Sequence, residues 1–226
     1  MTKQEARSHI EEFGIIPSVR VSTEDDVMFA ADTITMAGIP ILEITMTVPD
    51  AIHVIYQLTQ QRPEIVVGAG SILDAKTARM CIEAGASFIT STGLDIDVVK
   101  AAEEKEVLCF PGVLTPTEII AAMKAGSDLV KIFPCAQMGG PAYIRALKRP
   151  FPHIPMIASG GVNQQTASEF ILAGCAAVGI GHELIPLPAI RKRQQDWIVE
   201  LARRFLSIVK QARNQLQSNH VVRAPH

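Results

Sequence analysis

The sequence predicts an α/β protein that folds as one (β/α)8 TIM barrel with an additional helix at its N-terminus. Eight short apolar runs alternate with amphipathic segments along the 226 residues. The apolar runs lack the alternation of a half-exposed strand, as expected for parallel strands covered on both faces. Eight such units in roughly 200 residues close most simply into a compact barrel.

A four-fold Ala-Gly repeat favours the barrel over the alternative fold, a doubly wound open sheet. Each pair ends an amphipathic segment and precedes an apolar run, where glycine suits the left-handed residue that closes a helix. The four glycines are Gly38, Gly85, Gly126 and Gly174. An open sheet gives no reason for this shared register, whereas a barrel stacks side chains from alternate strands in layers of four.

Local signals place the elements in chain order. Hydroxyls at Ser22 and Thr23, followed by acidic residues, cap the second helix, and Thr115-Pro-Thr-Glu118 is a capping box. The predicted strands cover residues 14–21, 39–45, 65–70, 87–90, 107–111, a run around 131, 155–159 and 176–181. The predicted helices cover residues 3–13, 22–37, a segment entered at Pro49 and ending near 60, 74–84, segments opening at 95 and 115, 141–147, 163–173 and 190–216. We assign residues 1–216 to the barrel domain and expect residues 217–226, which lack periodicity, to form a flexible tail.

Composition and charge limit the function classes. With 48% hydrophobic residues and a formal net charge of -2, the chain can fill one α/β core. It has no basic stripe, so nucleic acid is not expected as a partner. The first residues are polar, and no apolar run approaches the roughly 20 residues of a membrane helix, so we expect a cytoplasmic protein without a membrane partner.

Cysteine and histidine spacing gives no sign of a metal centre. Cys81, Cys109, Cys135 and Cys175 are scattered through apparent core positions without a C-x-x-C pair, so we interpret them as small hydrophobic residues in a reducing compartment. No histidines occur at ligand spacing. We therefore predict neither a metal nor another cofactor.

Two charged residues, Glu43 and Lys131, lie inside predicted buried strands. Counting five residues from each glycine of the Ala-Gly repeat gives Glu43, Thr90, Lys131 and Gly179. If the four strands are equivalent, these residues lie at one level, and the amine and the carboxylate face each other. Counting two residues further along each strand gives a second, half-empty layer of Thr45, Thr92, Phe133 and Gly181.

This arrangement is typical of imine chemistry. Burial disfavours the charged form of Lys131, which leaves some free amine able to attack a carbonyl. Glu43 is then placed to move protons through the carbinolamine and enamine steps. A buried structural ion pair, or a lysine whose head reaches water, would also explain the pattern.

Glycines after the last two strands indicate an anion site. Gly160 and Gly161 follow the seventh strand, and Gly179, Gly181 and His182 end the eighth, which is where barrels commonly bind phosphate. The alternative is that the glycines form tight turns and His182 is only a rim residue.

Other polar residues are candidates for substrate contacts. Arg20 ends the first strand and is a candidate partner for a carboxylate, or else an exposed charge. Thr45, Ser71, Phe133 and Ser159 are predicted to line the pocket. The glycine-rich run before Ser71 could equally be a simple turn at the end of a strand.

Several motifs together resemble the family of 2-keto-3-deoxy-6-phosphogluconate aldolase, also known as 4-hydroxy-2-oxoglutarate aldolase. The resemblance covers about residues 14–205. The motifs are Ile15-Ile-Pro-Ser-Val-Arg20, Leu42-Glu-Ile-Thr45, Val67-Gly-Ala-Gly-Ser71, Phe110-Pro-Gly112, Val130-Lys-Ile-Phe-Pro134 and Ser159-Gly-Gly-Val162.

The resemblance implies a homotrimeric barrel and a class I aldolase. It implies a Schiff base at Lys131 and acid-base work by Glu43. Three positions depart from the best-known members: Thr47 replaces an arginine, Thr92 replaces a proline, and His182 replaces a serine that contacts phosphate. The loss of the arginine leaves carboxylate binding to Arg20 and backbone groups.

We therefore predict an aldehyde-lyase that cleaves a 2-keto-3-deoxy sugar acid, 6-phosphorylated, to pyruvate and an aldehyde. Two alternatives remain at this point. One is a phosphate-binding barrel synthase or isomerase that needs no imine. The other is a non-catalytic keto-acid binder on the same scaffold.

Overall fold

The computed structural model describes residues 1–223, with side chains described up to residue 218. Its strands are β1 (Ile15–Val19), β2 (Ile41–Thr45), β3 (Val66–Ile72), β4 (Phe88–Ser91), β5 (Leu108–Phe110), β6 (Gly112–Val113), β7 (Val130–Ile132), β8 (Met156–Ser159) and β9 (Ala177–Ile180). Its helices are α1 (Lys3–Phe13), α2 (Glu24–Met36), α3 (Ala51–Gln61), α4 (Ala75–Glu83), α5 (Ile96–Glu103), α6 (Pro116–Lys124), α7 (Gly140–Lys148), α8 (Ala167–Leu172), α9 (Leu187–Arg191) and α10 (Gln195–Arg223). In this part of the chain, no helix combines the length and the apolar character needed to span a bilayer.

The strands form one parallel sheet in the order β5-β4-β3-β2-β1-β9-β8-β7-β6. The two strands at the ends of this order, β5 and β6, are consecutive in the chain and are separated only by Pro111, which has no N–H to donate to a ladder. β5 pairs with β4 and β6 pairs with β7, so one interrupted strand closes the ring. The predicted (β/α)8 barrel is confirmed, and the open sheet is excluded.

The Ala-Gly repeat has the predicted backbone conformation. Gly38, Gly85, Gly126 and Gly174 have φ angles of +95°, +102°, +98° and +103°, all in the left-handed region. They follow α2, α4, α6 and α8. The four helices are therefore joined to the following strands by the same backbone conformation. For this reason the same count from each glycine reaches equivalent positions in the four strands.

Two predicted helix starts differ from the structure. α3 begins at Ala51, because Asp50 has a left-handed φ of +49° and cannot continue a helix. α8 begins at Ala167 rather than near 163. The Asn163 side chain accepts hydrogen bonds from the backbone N–H groups of Gln165 and Thr166, which holds these residues in a separate turn before the helix.

The helix predicted over residues 190–216 is divided into α9 and α10. The chain breaks at Arg193, which has a φ of +50° and whose guanidinium group pairs with Asp25 and Asp26 of α2. α10 continues to Arg223, seven residues past the predicted end of the last helix and into the predicted tail. Residues 224–226 of that tail lie outside the described residues.

An aromatic layer fills the barrel interior beneath its polar layer. Phe88 precedes Thr90 by two residues and shares its face of β4, and its ring stacks on Phe110 with centroids 5.5 Å apart. A Cβ at Gly68 would lie 2.1 Å from the Phe88 ring, so the missing side chain makes room for the phenyl group. The open end of the barrel is therefore the one at the carboxyl ends of the strands.

The four cysteines are buried, as predicted from their apolar surroundings. Burial raises the pKa of Cys81, Cys109 and Cys135 to about 12. These thiols therefore stay protonated near neutral pH and pack as small apolar groups.

Candidate active site

Glu43, Thr90 and Lys131 form a hydrogen-bonded chain across the barrel interior. Thr90 Oγ1 donates to Glu43 Oε2 at 2.7 Å, and Lys131 Nζ donates to Thr90 Oγ1 at 3.3 Å. Their exposed fractions are only 3%, 1% and 5%. The three residues thus meet at the level that the glycine repeat predicts. The amine and the carboxylate are joined through the Thr90 hydroxyl, which bonds to both.

The Glu43 carboxylate is held from both sides. Ser18, its register partner on β1, donates to Glu43 Oε1 at 2.9 Å, while Thr90 donates to the other oxygen. A Cβ at Gly70 would lie only 2.5 Å from Glu43 Cδ, so the carboxylate occupies the space that this glycine leaves open. Sequence reasoning missed Ser18, although a hydroxyl within the apolar first strand was a usable signal.

The surroundings of Lys131 favour its uncharged form. Burial lowers the pKa of Lys131 below its ordinary value, the Glu43 carboxylate opposes this shift, and the positive charge of Arg20 adds to it. The amine also lies 5.4 Å from the centre of the Phe133 ring. Lys131 therefore supplies free amine at a lower pH than an exposed lysine does.

A cavity of about 360 Å³ opens at the carboxyl ends of β1, β8 and β9. Two larger hollows, of about 680 and 700 Å³, lie in the outer helix layer. Lys131 and Glu43 are not among the described residues that line any of the three cavities. Ser18 and Phe133 connect the smaller cavity to the Glu43–Lys131 chain. The residues lining it are Ser18, Arg20, Phe133, Ser159, Gly160, Gly161, Val162, Gly179, Gly181, His182 and Glu183.

The predicted anion-binding glycines line this cavity closely. Gly160 and Gly161 have φ angles of +86° and +82°. A Cβ at Gly161 would lie 2.5 Å from Cβ of Ala136, and one at Gly181 would lie 2.6 Å from Arg20 Nη1. The missing side chains make room for these neighbours, so Ala136 packs against Gly161 and the Arg20 guanidinium group crosses the end of β9. Because α8 begins only at residue 167, its N-terminus does not directly follow the glycine pair, contrary to prediction.

His182 lies at the rim of the cavity. Its side chain is 85% exposed, and its Nε2 atom lies 3.3 Å from Glu183 Oε1. Glu183 also lines the cavity, although the sequence did not point to it. An imidazole–carboxylate pair therefore stands where only a phosphate-binding histidine was predicted.

Four other candidates are absent from the described lining of this cavity, so their predicted substrate contacts lack this support. Thr45 Oγ1 donates to the Val19 carbonyl at 3.0 Å and lies 2.6 Å from Thr47 Oγ1. Ser71 has a φ of +61° where the pairing of β3 with β4 shifts register. Thr92 is exposed on the loop after β4.

A protein-family model matches most of the chain. The model described as KDPG and KHG aldolase matches residues 6–201. The chain belongs to this family. Its assignment to the aldehyde-lyases, predicted from the motifs, is thereby confirmed at the level of the family.

Individual members of the KDPG and KHG aldolase family match over most of their length. The 2-dehydro-3-deoxy-phosphogluconate aldolase of Pseudomonas aeruginosa is 30% identical over 192 residues, which cover 85% of this chain and 87% of the relative. The KHG/KDPG aldolase of Escherichia coli K12 is 29% identical over 202 residues, covering 89% and 94%. The structure of KDPG aldolase from Legionella pneumophila, with pyruvate captured as a covalent carbinolamine intermediate, superposes with a TM-score of 0.82 at 27% identity, covering 88% of this chain and 96% of that one.

Proposed function

We propose that this family member cleaves a 2-keto-3-deoxy sugar acid, phosphorylated at C6, to pyruvate and an aldehyde such as glyceraldehyde 3-phosphate. The observation that carries the proposal is the buried Lys131 amine, joined through Thr90 to Glu43 beside an open cavity. The carbinolamine captured in the Legionella relative supports a covalent route. The names of the curated relatives support the substrate class.

The reaction begins at the keto carbon, C2. The free amine of Lys131 attacks C2 and gives a carbinolamine. Glu43 supplies the proton with which the carbinolamine hydroxyl leaves as water, and an iminium ion remains. Because the amine is already desolvated, attack does not require a hydrated ammonium group to lose its water first.

Cleavage uses the iminium ion as an electron sink. When a base removes the proton of the C4 hydroxyl, the C3–C4 bond breaks, its electrons pass into the enamine, and the aldehyde leaves. Protonation of the enamine at C3 and hydrolysis of the imine then release pyruvate and regenerate the amine of Lys131. Glu43 moves these protons, and every step is reversible.

The cavity offers groups for both ends of the substrate. Arg20 supplies a positive charge for the carboxylate next to C2, a role the resemblance would otherwise give to an arginine at position 47. Thr45, Thr47, Ser71, Thr92, Phe133 and Ser159 complete the proposed substrate contacts. The backbone at Gly160, Gly161, Gly179 and Gly181, with His182, binds the phosphate.

Replacing Arg20 with methionine should raise KM for the keto acid by about 10-fold or more, because a charge-assisted hydrogen bond to the carboxylate is lost. It should also move the acid limb of the kcat/KM profile to higher pH, since the Arg20 charge helps to lower the pKa of Lys131. Steady-state kinetics across pH measures both effects. Arg79→Met, which changes an exposed residue of α4, is the matched control, and an unchanged KM and profile in Arg20→Met would contradict the assignment.

Replacing Gly70 with alanine should displace the Glu43 carboxylate, since the new Cβ would lie 2.5 Å from Glu43 Cδ. We expect kcat to fall about 100-fold, as for a misplaced catalytic group. The free energy of unfolding should drop by about 1–3 kcal/mol, as for an overpacked core. Gly93→Ala is the control, because its Cβ would meet nothing within 4 Å. Equal turnover in the two variants would show that the Gly70 gap does not position Glu43.

The experiment that tests the proposed function is a substrate panel with pyruvate release as the readout. It contains phosphorylated and unphosphorylated 2-keto-3-deoxy acids of both configurations at C4. We expect release from at least one 6-phosphorylated member, faster than from its unphosphorylated counterpart. Keto acids that bind but stay uncleaved over hours would favour a non-catalytic binder, and activity that survives Lys131→Arg would favour a synthase or isomerase without an imine.

We propose a homotrimer in the cytoplasm: the assembly rests on the family resemblance and the location on the composition of the sequence. Both would be consistent with a metabolic enzyme acting on a small-molecule keto acid. Sedimentation of the purified chain measures the assembly directly, and a monomer at working concentration would contradict this part of the proposal.

A further inference from the structure

When Lys131 is protonated and Glu43 is ionised, the hydrogen bonds between them can run in only one direction. A charged lysine only donates hydrogen bonds, an ionised carboxylate only accepts them, and a threonine hydroxyl has one hydrogen to give. Since Lys131 Nζ lies 3.3 Å and Glu43 Oε2 lies 2.7 Å from Thr90 Oγ1, the Thr90 hydrogen must point at the carboxylate. Its oxygen accepts from the amine. The three groups form an unbroken line from a proton donor to a proton acceptor.

We propose that the Thr90 hydroxyl relays to Glu43 the proton that Lys131 must lose before it attacks the substrate. This role rests on the proposed imine chemistry and makes Thr90 a positioning residue that acts through its two neighbours. An N–H bond of Lys131 breaks as an O–H bond forms at Thr90, while the original Thr90 hydrogen moves to Glu43 Oε2. The products are a free amine, an intact threonine and a carboxylic acid, so the step needs no further reactant.

The surroundings leave few other routes for this proton. Lys131 Nζ makes one hydrogen bond within the described residues, to Thr90, and no ion pair there joins it directly to Glu43. The charged groups that act on the amine are Glu43 on β2 and Arg20 directly after β1, and of these only Glu43 accepts a proton. Ser18 holds the other carboxylate oxygen, which keeps Glu43 Oε2 directed at Thr90.

The relay also prepares the next chemical step. Once Glu43 carries the proton, it is the acid that the carbinolamine hydroxyl needs in order to leave as water. One proton can therefore activate the nucleophile and then assist dehydration without exchange with bulk solvent. This explains why a hydroxyl, rather than an apolar group, occupies position 90 in the barrel interior.

The test is the rate at which full-length protein is trapped by pyruvate and cyanoborohydride, with the reductant at a level where imine formation limits the rate. In Thr90→Val, which keeps the side-chain shape but lacks the hydroxyl, trapping at neutral pH should slow about 10–100-fold. The rate should recover as the pH rises, because a solvent base then takes the proton. Thr90→Ser, which restores the hydroxyl, should remain within about 3-fold of the unaltered protein.

Two variants separate the relay from a merely structural role. Ser18→Ala removes the other hydroxyl that donates to Glu43 but leaves the Lys131–Thr90–Glu43 line intact, so any slowing of trapping should be the same at every pH and should not recover as the pH rises. Thr33→Val removes a buried hydroxyl that donates to the Phe29 carbonyl within α2, outside the barrel strands, and reports the general cost of such a change. If Thr90→Val does not fold, Thr90→Cys takes its place, because a thiol is a weaker donor and acceptor and should also slow trapping.

The relay is overturned if Thr90→Val, or Thr90→Cys in its place, traps pyruvate at the unaltered rate. It is equally overturned if Thr90→Val and Ser18→Ala slow by the same factor with no recovery at high pH. A failure of the proposed function gives a different result, since the unaltered protein would then not be trapped at all.

Discussion

Replacing Lys131 with methionine should abolish pyruvate release, with kcat lower by on the order of 10⁴-fold or more, because no other group can form the imine. Methionine suits the site sterically, since it is unbranched and apolar. The variant should fold. Burial lowers the pKa of Lys131, so the ammonium form costs stability below the ordinary lysine pKa of 10.5. Lys131→Met should therefore melt no lower than the unaltered protein at neutral pH, and any advantage should shrink as pH rises towards that value.

The Lys131→Arg variant separates the positive charge of Lys131 from its ability to form an imine. Arginine keeps a positive charge near Glu43 but cannot act as an amine nucleophile, because its pKa stays above 12. We expect it to be as inactive as Lys131→Met. Retention of activity within about 10-fold of the unaltered protein would exclude imine chemistry and favour a mechanism in which Lys131 supplies only charge.

Replacing Glu43 with glutamine should lower kcat by about 10²–10⁴-fold, because the amide can neither take up nor supply the protons of the carbinolamine and enamine steps. The pH dependence should also change, and its sign is specific. The Glu43 carboxylate raises the pKa of Lys131, so its removal lowers that pKa further. The acid limb of the residual activity should therefore move to lower pH. Kinetics of pyruvate release across pH measures both changes.

Glu104→Gln is the matched control, since it removes an exposed carboxylate at the end of α5. It should leave both kcat and the pH profile unchanged. If Glu43→Gln retained activity within about 10-fold, or if its acid limb moved to higher pH, Glu43 could not be the proton-transfer group that acts beside Lys131.

The sequence predicts the height of the site residues within the barrel because the four helices of the Ala-Gly repeat end in the same way. Each left-handed glycine fixes where the next strand begins, so counting from Gly38, Gly85 and Gly126 reaches Glu43, Thr90 and Lys131. Side-chain direction then follows from the two-residue period of a strand. This part of the prediction needs only local backbone rules.

What the sequence could not predict depends on the closed barrel. Ser18 meets Glu43 because β1 and β2 are paired in a register that no local motif specifies. The position of Thr90 between the Lys131 amine and the Glu43 carboxylate depends on the width of the barrel. Counting residues along single strands gives no distance across the barrel interior. Thr45 and Thr47 bond to each other and to the β1 backbone, and such local pairing of hydroxyls is decided by side-chain rotation.

The predicted helix boundaries were wrong where side-chain interactions compete with the helical conformation of the backbone. Asn163 accepts from two backbone N–H groups and delays α8, while Arg193 takes a left-handed conformation between α9 and α10 and pairs with acids on α2. Hydrophobic periodicity does not report either effect. Both changes lie outside the polar layer, so the predicted chemistry does not depend on them.

The formation of an imine between Lys131 and pyruvate is tested most directly by reductive trapping and peptide mapping. The protein is incubated with pyruvate and cyanoborohydride and digested with trypsin, which does not cleave after a modified lysine. We expect the reduced adduct, a lysine whose amine carries a 1-carboxyethyl group, in a peptide spanning residues 125–145 that is uncleaved at Lys131. An unmodified peptide of residues 125–131 from protein that still cleaves its substrate would contradict the proposed mechanism.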